Sequence, residues 1–211
     1  MNKFVCILKS GGDYTIAHVT NLYNQCKKFL PNMDEFICYS DKHFSHEEII
    51  VKPLIGGLPG KWSMQEAFRE TGKVIVTGLD TLFLKDCSWM YDVEVNEDEF
   101  YGMHSFNAHR KWANSPMIWN GDFAWLFTDY NNHPTRVKHK LEQNWTAEKL
   151  RSRNIKLKYI DDEGLKIASF KRHILKGRKT ENFDIIIYHG FPRPNEVTKE
   201  PYRSMYRKFD E

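Results

Sequence analysis

Several protein classes are excluded by what this sequence lacks. Its four cysteines (Cys6, Cys26, Cys38, Cys87) form no CxxC pair, and their wide spacing argues against a zinc site or a disulfide framework. Cys6 and Cys38 fall inside apolar, strand-like runs, where a free thiol acts as a small hydrophobe. A reducing cytoplasm fits this usage best. No stretch approaches the ~18 apolar residues that a membrane span needs. The opening MNKFVCILKSGG has too short an apolar run for a signal-peptide core and is read as a first strand. Internal repeats, low-complexity tracts and a clear linker are also missing. What remains is a chain of 211 residues, 41% hydrophobic, long enough for one domain with a substantial core.

The net charge of +3 conceals an asymmetry. Residues 133–180 hold fourteen Lys/Arg against five Asp/Glu, a net of +9, so the remainder carries −6. A concentrated basic segment is either a site for a polyanionic or phosphate-bearing partner or a solvated lysine-rich face.

Phe4–Leu8 (FVCIL) is predicted as a strand, ending in the flexible turn from Lys9 to Tyr14. A helix is predicted from Thr15 to Phe29, closed by Pro31. Glu35–Tyr39 and Ile49–Val51 follow as strands, then the GGLPG loop and a helix from Lys61 to Glu70. The β-branched run Val74–Val76 is the central strand. It stops at Gly78, and Leu79-Asp80-Thr81 precedes the apolar Leu82–Leu84. The order β-α-β-β-α-β implies a mostly parallel sheet with helices on its faces, nucleotide-binding at its front edge. Further on, the pattern predicts a strand at Phe100–Met103, a polar loop at His104–Asn114, and a strand over Met117–Phe127 interrupted at Asn120-Gly121-Asp122. A helix follows from Thr135 to about Arg153, then strands at Leu157–Ile160, Lys166–Phe170 and Phe183–Tyr188, and a short C-terminal helix.

Three predicted strand ends present polar, glycine-containing turns: Ser10–Tyr14, Gly78–Thr81 and His189–Arg193. In a parallel sheet they would share one edge. Glycine-rich turns let backbone N–H groups approach a phosphate, Tyr14 could stack on a base, and Arg193 could grip a phosphate bidentately. Asp80 and His189 could share a divalent cation, since hard cations take oxygen ligands. The alternatives are an Asx-turn at Asp80 and a hydrogen-bonded structural histidine at His189.

The succession of the strand-one glycine turn, WSMQEAF, VIVTGLDTLFLKD, WNGDFAW and YHGFPRP resembles the GT-A glycosyltransferases, most of all the family-8-type group and its short bacterial and phage members. The similarity spans Phe4 to about Asn195. It implies an α/β, Rossmann-like GT-A fold: a mixed, mostly parallel central sheet flanked by helices, with a basic C-terminal helical and loop portion. Residues 1–211 would form one domain, with a nucleotide-binding half (1–86) and a sugar- and acceptor-binding half (87–211). The resemblance further implies a nucleotide-sugar donor, usually UDP-linked, held with Mn²⁺ or Mg²⁺. The metal falls on Asp80 and His189. Donor contacts fall on Ser10, Gly11, Gly12, Tyr14, Lys61, Gly78, Leu79, Asn120, Gly190 and Arg193. Asp80 and Asp122 are the catalytic candidates, and capping the turn after Gly121 is the other reading of Asp122.

Departures from the family pattern are visible too. Gly78 stands where the metal motif has its first Asp, and Met64 where a lysine is usual, although Lys61 is close by. The acid–amide pair of a later helix is not evident near Trp145–Glu148. The acceptor expected from the basic, aromatic-interrupted segment 133–180 is a hydroxymethylated base flipped from DNA, as in phage DNA modification, in a bacterial or phage-infected host cytoplasm. A cell-surface polysaccharide hydroxyl is the alternative acceptor. A catalytically silent nucleotide-sugar- or nucleic-acid-binding protein is the non-enzymatic one.

Overall fold

In the computed structural model, which describes residues 1–107, 111–132 and 141–210, the apolar run near the N-terminus is the first strand it was expected to be. Strand β1 (Asn2–Leu8) pairs in parallel with β2 (Glu35–Ser40) and with β4 (Thr71–Val76), and β2 pairs in parallel with β3 (Ile49–Pro53). Along β1 the side chains alternate between two cores. Phe4, Cys6 and Leu8 pack with helix α1 (Ile16–Phe29), whereas Val5 packs with Phe68 and Trp119. A strand buried on both faces has no polar side, and this accounts for the unbroken hydrophobic run. All four cysteines lie in these cores as free thiols.

Beyond β4 the sheet continues through β7 (Trp112–Asp122), antiparallel to β4, then β6 (Glu99–His104) and β8 (Lys156–Tyr159), giving the order β3-β2-β1-β4-β7-β6-β8. Here the strand expected over Met117–Phe127 needs correcting: it starts earlier and ends at Asp122, and FAWLF lies at the start of helix α2 (Ala124–Asn132). Asp122 Oδ1 accepts from Ala124 N at 2.8 Å, turning the chain into that helix. The segment Gly60–Arg69 is a 3-10 helix. Helix α3 runs over Glu142–Ser152, and residues 133–140 of the longer helix expected there lie outside the described residues.

A second, three-stranded sheet joins β5 (Thr81–Phe83), β10 (Ile185–Ile187) and β9 (Ile167–Ser169). The His189 turn therefore leaves this small sheet, not the main one. It still reaches Asp80, because β10 runs antiparallel to β5 with Ile187 opposite Thr81, and Tyr188 N donates to Asp80 O at 2.8 Å. The C-terminal helix α4 covers Tyr202–Arg207. Among the described residues no helix is long and apolar enough to cross a membrane.

One glycine carries a stability prediction. A Cβ at Gly102, on β6, would overlap the buried Trp112 ring and the Ala113 backbone carbonyl. Neither yields without parting β6 from β7. Gly102→Ala is expected to lower stability by about 2–3 kcal/mol in urea denaturation, as overpacking of a filled core does.

Candidate active site

The turn after β1 is built by a residue that sequence reading passed over. Asp41, just past β2, accepts from Ser10 N (2.8 Å) and Ser10 Oγ (2.5 Å) and pairs with Lys9 Nζ (2.9 Å). Burial works against the charge on Asp41, but Lys9 and Ser10 outweigh it and hold the carboxyl at about 2. The Ser10 side chain is thus committed to Asp41, and the turn is pinned with Gly11 at φ 81°. Opposite it, Arg193 donates from Nε to Asp13 Oδ2 and from Nη1 to Tyr14 Oη, both at 2.8 Å. This pair links the first turn to the last one, 179 residues away in sequence.

Gly78 and Asp80 form the floor. Gly78 N donates to Ser115 Oγ at 3.0 Å, and a Cβ on Gly78 would overlap Asp80 Oδ1. The Asp80 carboxylate therefore lies in the space that a side chain at position 78 would need. Burial raises its pKa above the usual carboxylate value, with the Arg193 charge opposing. His189 donates to or accepts from Ser169 Oγ through Nε2 at 2.6 Å, and its ring stacks on Phe106 at 5.1 Å. Burial, with Lys171, Arg172 and His173 close by, pushes His189 down to about 4.

These strand ends enclose a cleft with two adjoining lobes. The first, about 430 Å³, is lined by the Lys9–Tyr14 turn, Leu79 and Arg193. The second, about 360 Å³, is lined by Phe106, Asn114, Ser115, Gln143, His189 and Gly190. Lys61, Met64, Gly78, Asp80 and Glu142 border both. Of the expected donor and metal residues, Ser10, Gly11, Gly12, Tyr14, Lys61, Gly78, Leu79, Asp80, His189, Gly190 and Arg193 all line this cleft.

Asn120 and Asp122 do not, which corrects their expected roles. In the antiparallel register Asn120 faces Lys73 and Asp122 faces Thr71, at the opposite end of β4 from Gly78. At ~3.3 Å per strand residue this is roughly 20 Å away. The site end of β7 is its beginning, Asn114 and Ser115.

Glu142 and Gln143, the first residues of α3, are the site residues missed in sequence. They form an acid–amide pair just upstream of the window where one was sought. Glu142 is only 8% exposed, its Oε2 has no hydrogen-bond partner among the described residues, and Lys61 Nζ is 3.7 Å from that oxygen. Burial raises the Glu142 carboxyl pKa, with Lys61 and Asn114 countering in part.

The expected divalent cation does not fit this donor set. Gly78 supplies no ligand, and Asp80 fills the place where one would stand. The Nε2 of His189 is engaged by Ser169. Among the described residues no group of three or more His, Cys, Asp or Glu side chains gathers to hold a metal ion.

A more open depression of about 500 Å³ lies away from these turns, lined by Asp92, Glu94, Glu99 and Glu163 among others. Glu99 is paired there with Lys158 and Glu163 with Tyr101 Oη.

No family model and no curated protein matches the sequence. Solved structures do match. The galactosyltransferase LgtC, in complex with donor and acceptor sugar analogs, superposes with a TM-score of 0.65 at 10% identity, over 99% of this chain and 95% of that one. The glycosyltransferase GlyE of Streptococcus pneumoniae TIGR4 gives 0.71 at 10% identity, and this chain spans 60% of its length. A glycosyltransferase involved in glycosylation of the PBCV-1 major capsid gives 0.53 at 10% identity, over 100% and 99% of the two chains. The seven-stranded, mostly parallel sheet with its flanking helices is the GT-A glycosyltransferase fold.

Proposed function

We propose that the protein transfers a sugar from a nucleotide-sugar, UDP-linked, to an acceptor hydroxyl. The observation that supports this most is the two-lobed cleft bordered throughout by Lys61, Asp80 and Glu142. A nucleoside occupies the first lobe, with Tyr14 against the base. The diphosphate crosses the junction beside Lys61, and the sugar enters the second lobe. There Asn114, Ser115 and Gln143 offer hydrogen bonds, and the Glu142 carboxylate faces the positive charge that develops as the sugar–phosphate bond breaks. Positioning and electrostatic stabilisation of the leaving group supply most of the acceleration. The Mn²⁺ or Mg²⁺ of the family resemblance has no part in these steps, given the donor set described above.

For the acceptor we favour a hydroxymethylated base in DNA. Arg172, Lys176 and Arg178 gather around His173, and Arg172 is anchored to Phe106 O and Asn107 Oδ1 on the cleft wall. Such a cationic rim suits a phosphate backbone. The cell-surface hydroxyl acceptor is the reading this must beat.

Nucleoside diphosphate release from UDP-, GDP- and ADP-sugars tests both parts. Release is expected to rise about tenfold or more with duplex DNA bearing hydroxymethyl bases and to fall steeply with salt. Stimulation by oligosaccharides alone would move the acceptor to the cell surface. No release from any donor would leave a binding protein.

A further inference from the structure

We infer that the donor's diphosphate is neutralised by Lys61, Lys171 and Arg193 in place of a divalent cation. This rests on the donor-site reading above.

The set of oxygen ligands that a hard cation needs is incomplete here. Position 78 has no side chain, and the room it would need is taken by Asp80 Oδ1. His189, the imidazole that lines the second lobe among the described residues, is bonded through Nε2 to buried Ser169. It is also flanked by Lys171 and Arg172, whose charges repel a second cation.

The same turns bring monovalent cations close to the cleft. Lys171 Nζ stands 2.8 Å from where a Cβ on Gly190, a residue of the second lobe, would be, so the missing side chain at 190 leaves room for this ammonium beside that lobe. Lys171 makes no ion pair among the described residues. Lys61 borders both lobes with its side chain half exposed, and its nearest carboxylate oxygen is 3.7 Å away. Arg193 completes the set on the nucleoside side, its guanidinium oriented by Asp13 and Tyr14. A cation oriented before the substrate arrives, as Arg193 is, stabilises a departing diphosphate without reorganisation, and Lys61 and Lys171 add positive charge where a metal ion otherwise would.

Calorimetric titration of UDP, GDP and ADP tests this, in EDTA and in Mn²⁺, with wild type, Lys171→Ala and Lys171→Arg. The tightest nucleotide is expected to bind with the same affinity in both buffers, to within about twofold. Binding in EDTA should weaken about tenfold in Lys171→Ala and be largely restored in Lys171→Arg, with unchanged melting temperatures, since Lys171 is exposed. Binding that appears only with Mn²⁺ would overturn the inference and leave the donor site standing. Equal binding by wild type and Lys171→Ala would remove Lys171 from the cradle and overturn it as stated. Absence of binding in either buffer would defeat the donor-site reading itself.

Discussion

Glu142→Ala is expected to cut sugar transfer by about 100- to 1000-fold, as removal of a preorganised charge from an active site does, without lowering stability. The two halves of this expectation have one cause. Glu142 is buried at the start of α3, and among the described residues one of its carboxylate oxygens has no hydrogen-bond partner and its nearest cation is at 3.7 Å. An under-paired buried carboxylate costs folding free energy, and the positive end of the helix dipole recovers only part of it. Truncating it removes that cost, so the melting temperature should stay level or rise. A carboxylate kept at such expense is the pattern of a group held for chemistry. Thermal unfolding alongside steady-state kinetics checks this. A variant that melts early and keeps its transfer rate would mark Glu142 as structural. Glu142→Gln separates charge from shape: if charge matters, its activity loss should approach that of alanine.

Glu70→Ala is expected to produce the largest stability loss, about 3 kcal/mol or more, because it strips the partner from two lysines at once. The Glu70 carboxylate is 4% exposed at the start of β4, accepting from Lys3 Nζ (3.0 Å), Lys52 Nζ (2.5 Å) and Tyr39 Oη (2.5 Å). It thereby ties β1, β2 and β3 to β4. Burial alone would raise its pKa, but Lys52, Tyr39 and Lys3 outweigh that and hold it below the ordinary 4.5. The sign follows. A depressed folded-state value adds stability above the unfolded pKa, and that stability is lost as pH falls through the folded value. Urea denaturation should therefore show wild-type stability holding near neutrality and declining below about pH 4.5. In Glu70→Gln the overall stability should drop, and this part of the acid dependence should vanish. An unchanged acid slope in that variant would contradict the network. Lys52 is partly exposed, so its share of the effect is the smaller one.

Much of the fold was legible because the inner strands are buried on both faces. FVCIL, EFICY and VIVTG announce themselves by composition alone, and their order sets the parallel half of the sheet. MIWNGDFAWLF misled for a physical reason. Its apolar residues continue through a change from strand to helix, and the change is made by Asp122 capping a turn, which composition does not mark. The same misreading sent Asn120 and Asp122 to the site, since their distance from it depends on an antiparallel register with β4. The second sheet was illegible because β5 and β10 are three residues each and lie about a hundred residues apart in sequence. Their pairing is what carries His189 to Asp80. Asp41 and Glu142 stayed hidden because an acid after a strand or at a helix start is common on any surface. Only the fold reveals that one pins Ser10 and that the other is buried facing the cleft.

Hydrogen–deuterium exchange with and without the tightest-binding nucleoside diphosphate tests the central claim, that the strand-end cleft is a donor site, most directly. Backbone protection is expected at Lys9–Tyr14, Gly78–Asp80 and His189–Arg193 together, three segments that meet only in this fold. Protection confined to the acidic face of Asp92–Tyr101, or none at saturating ligand, would contradict the account.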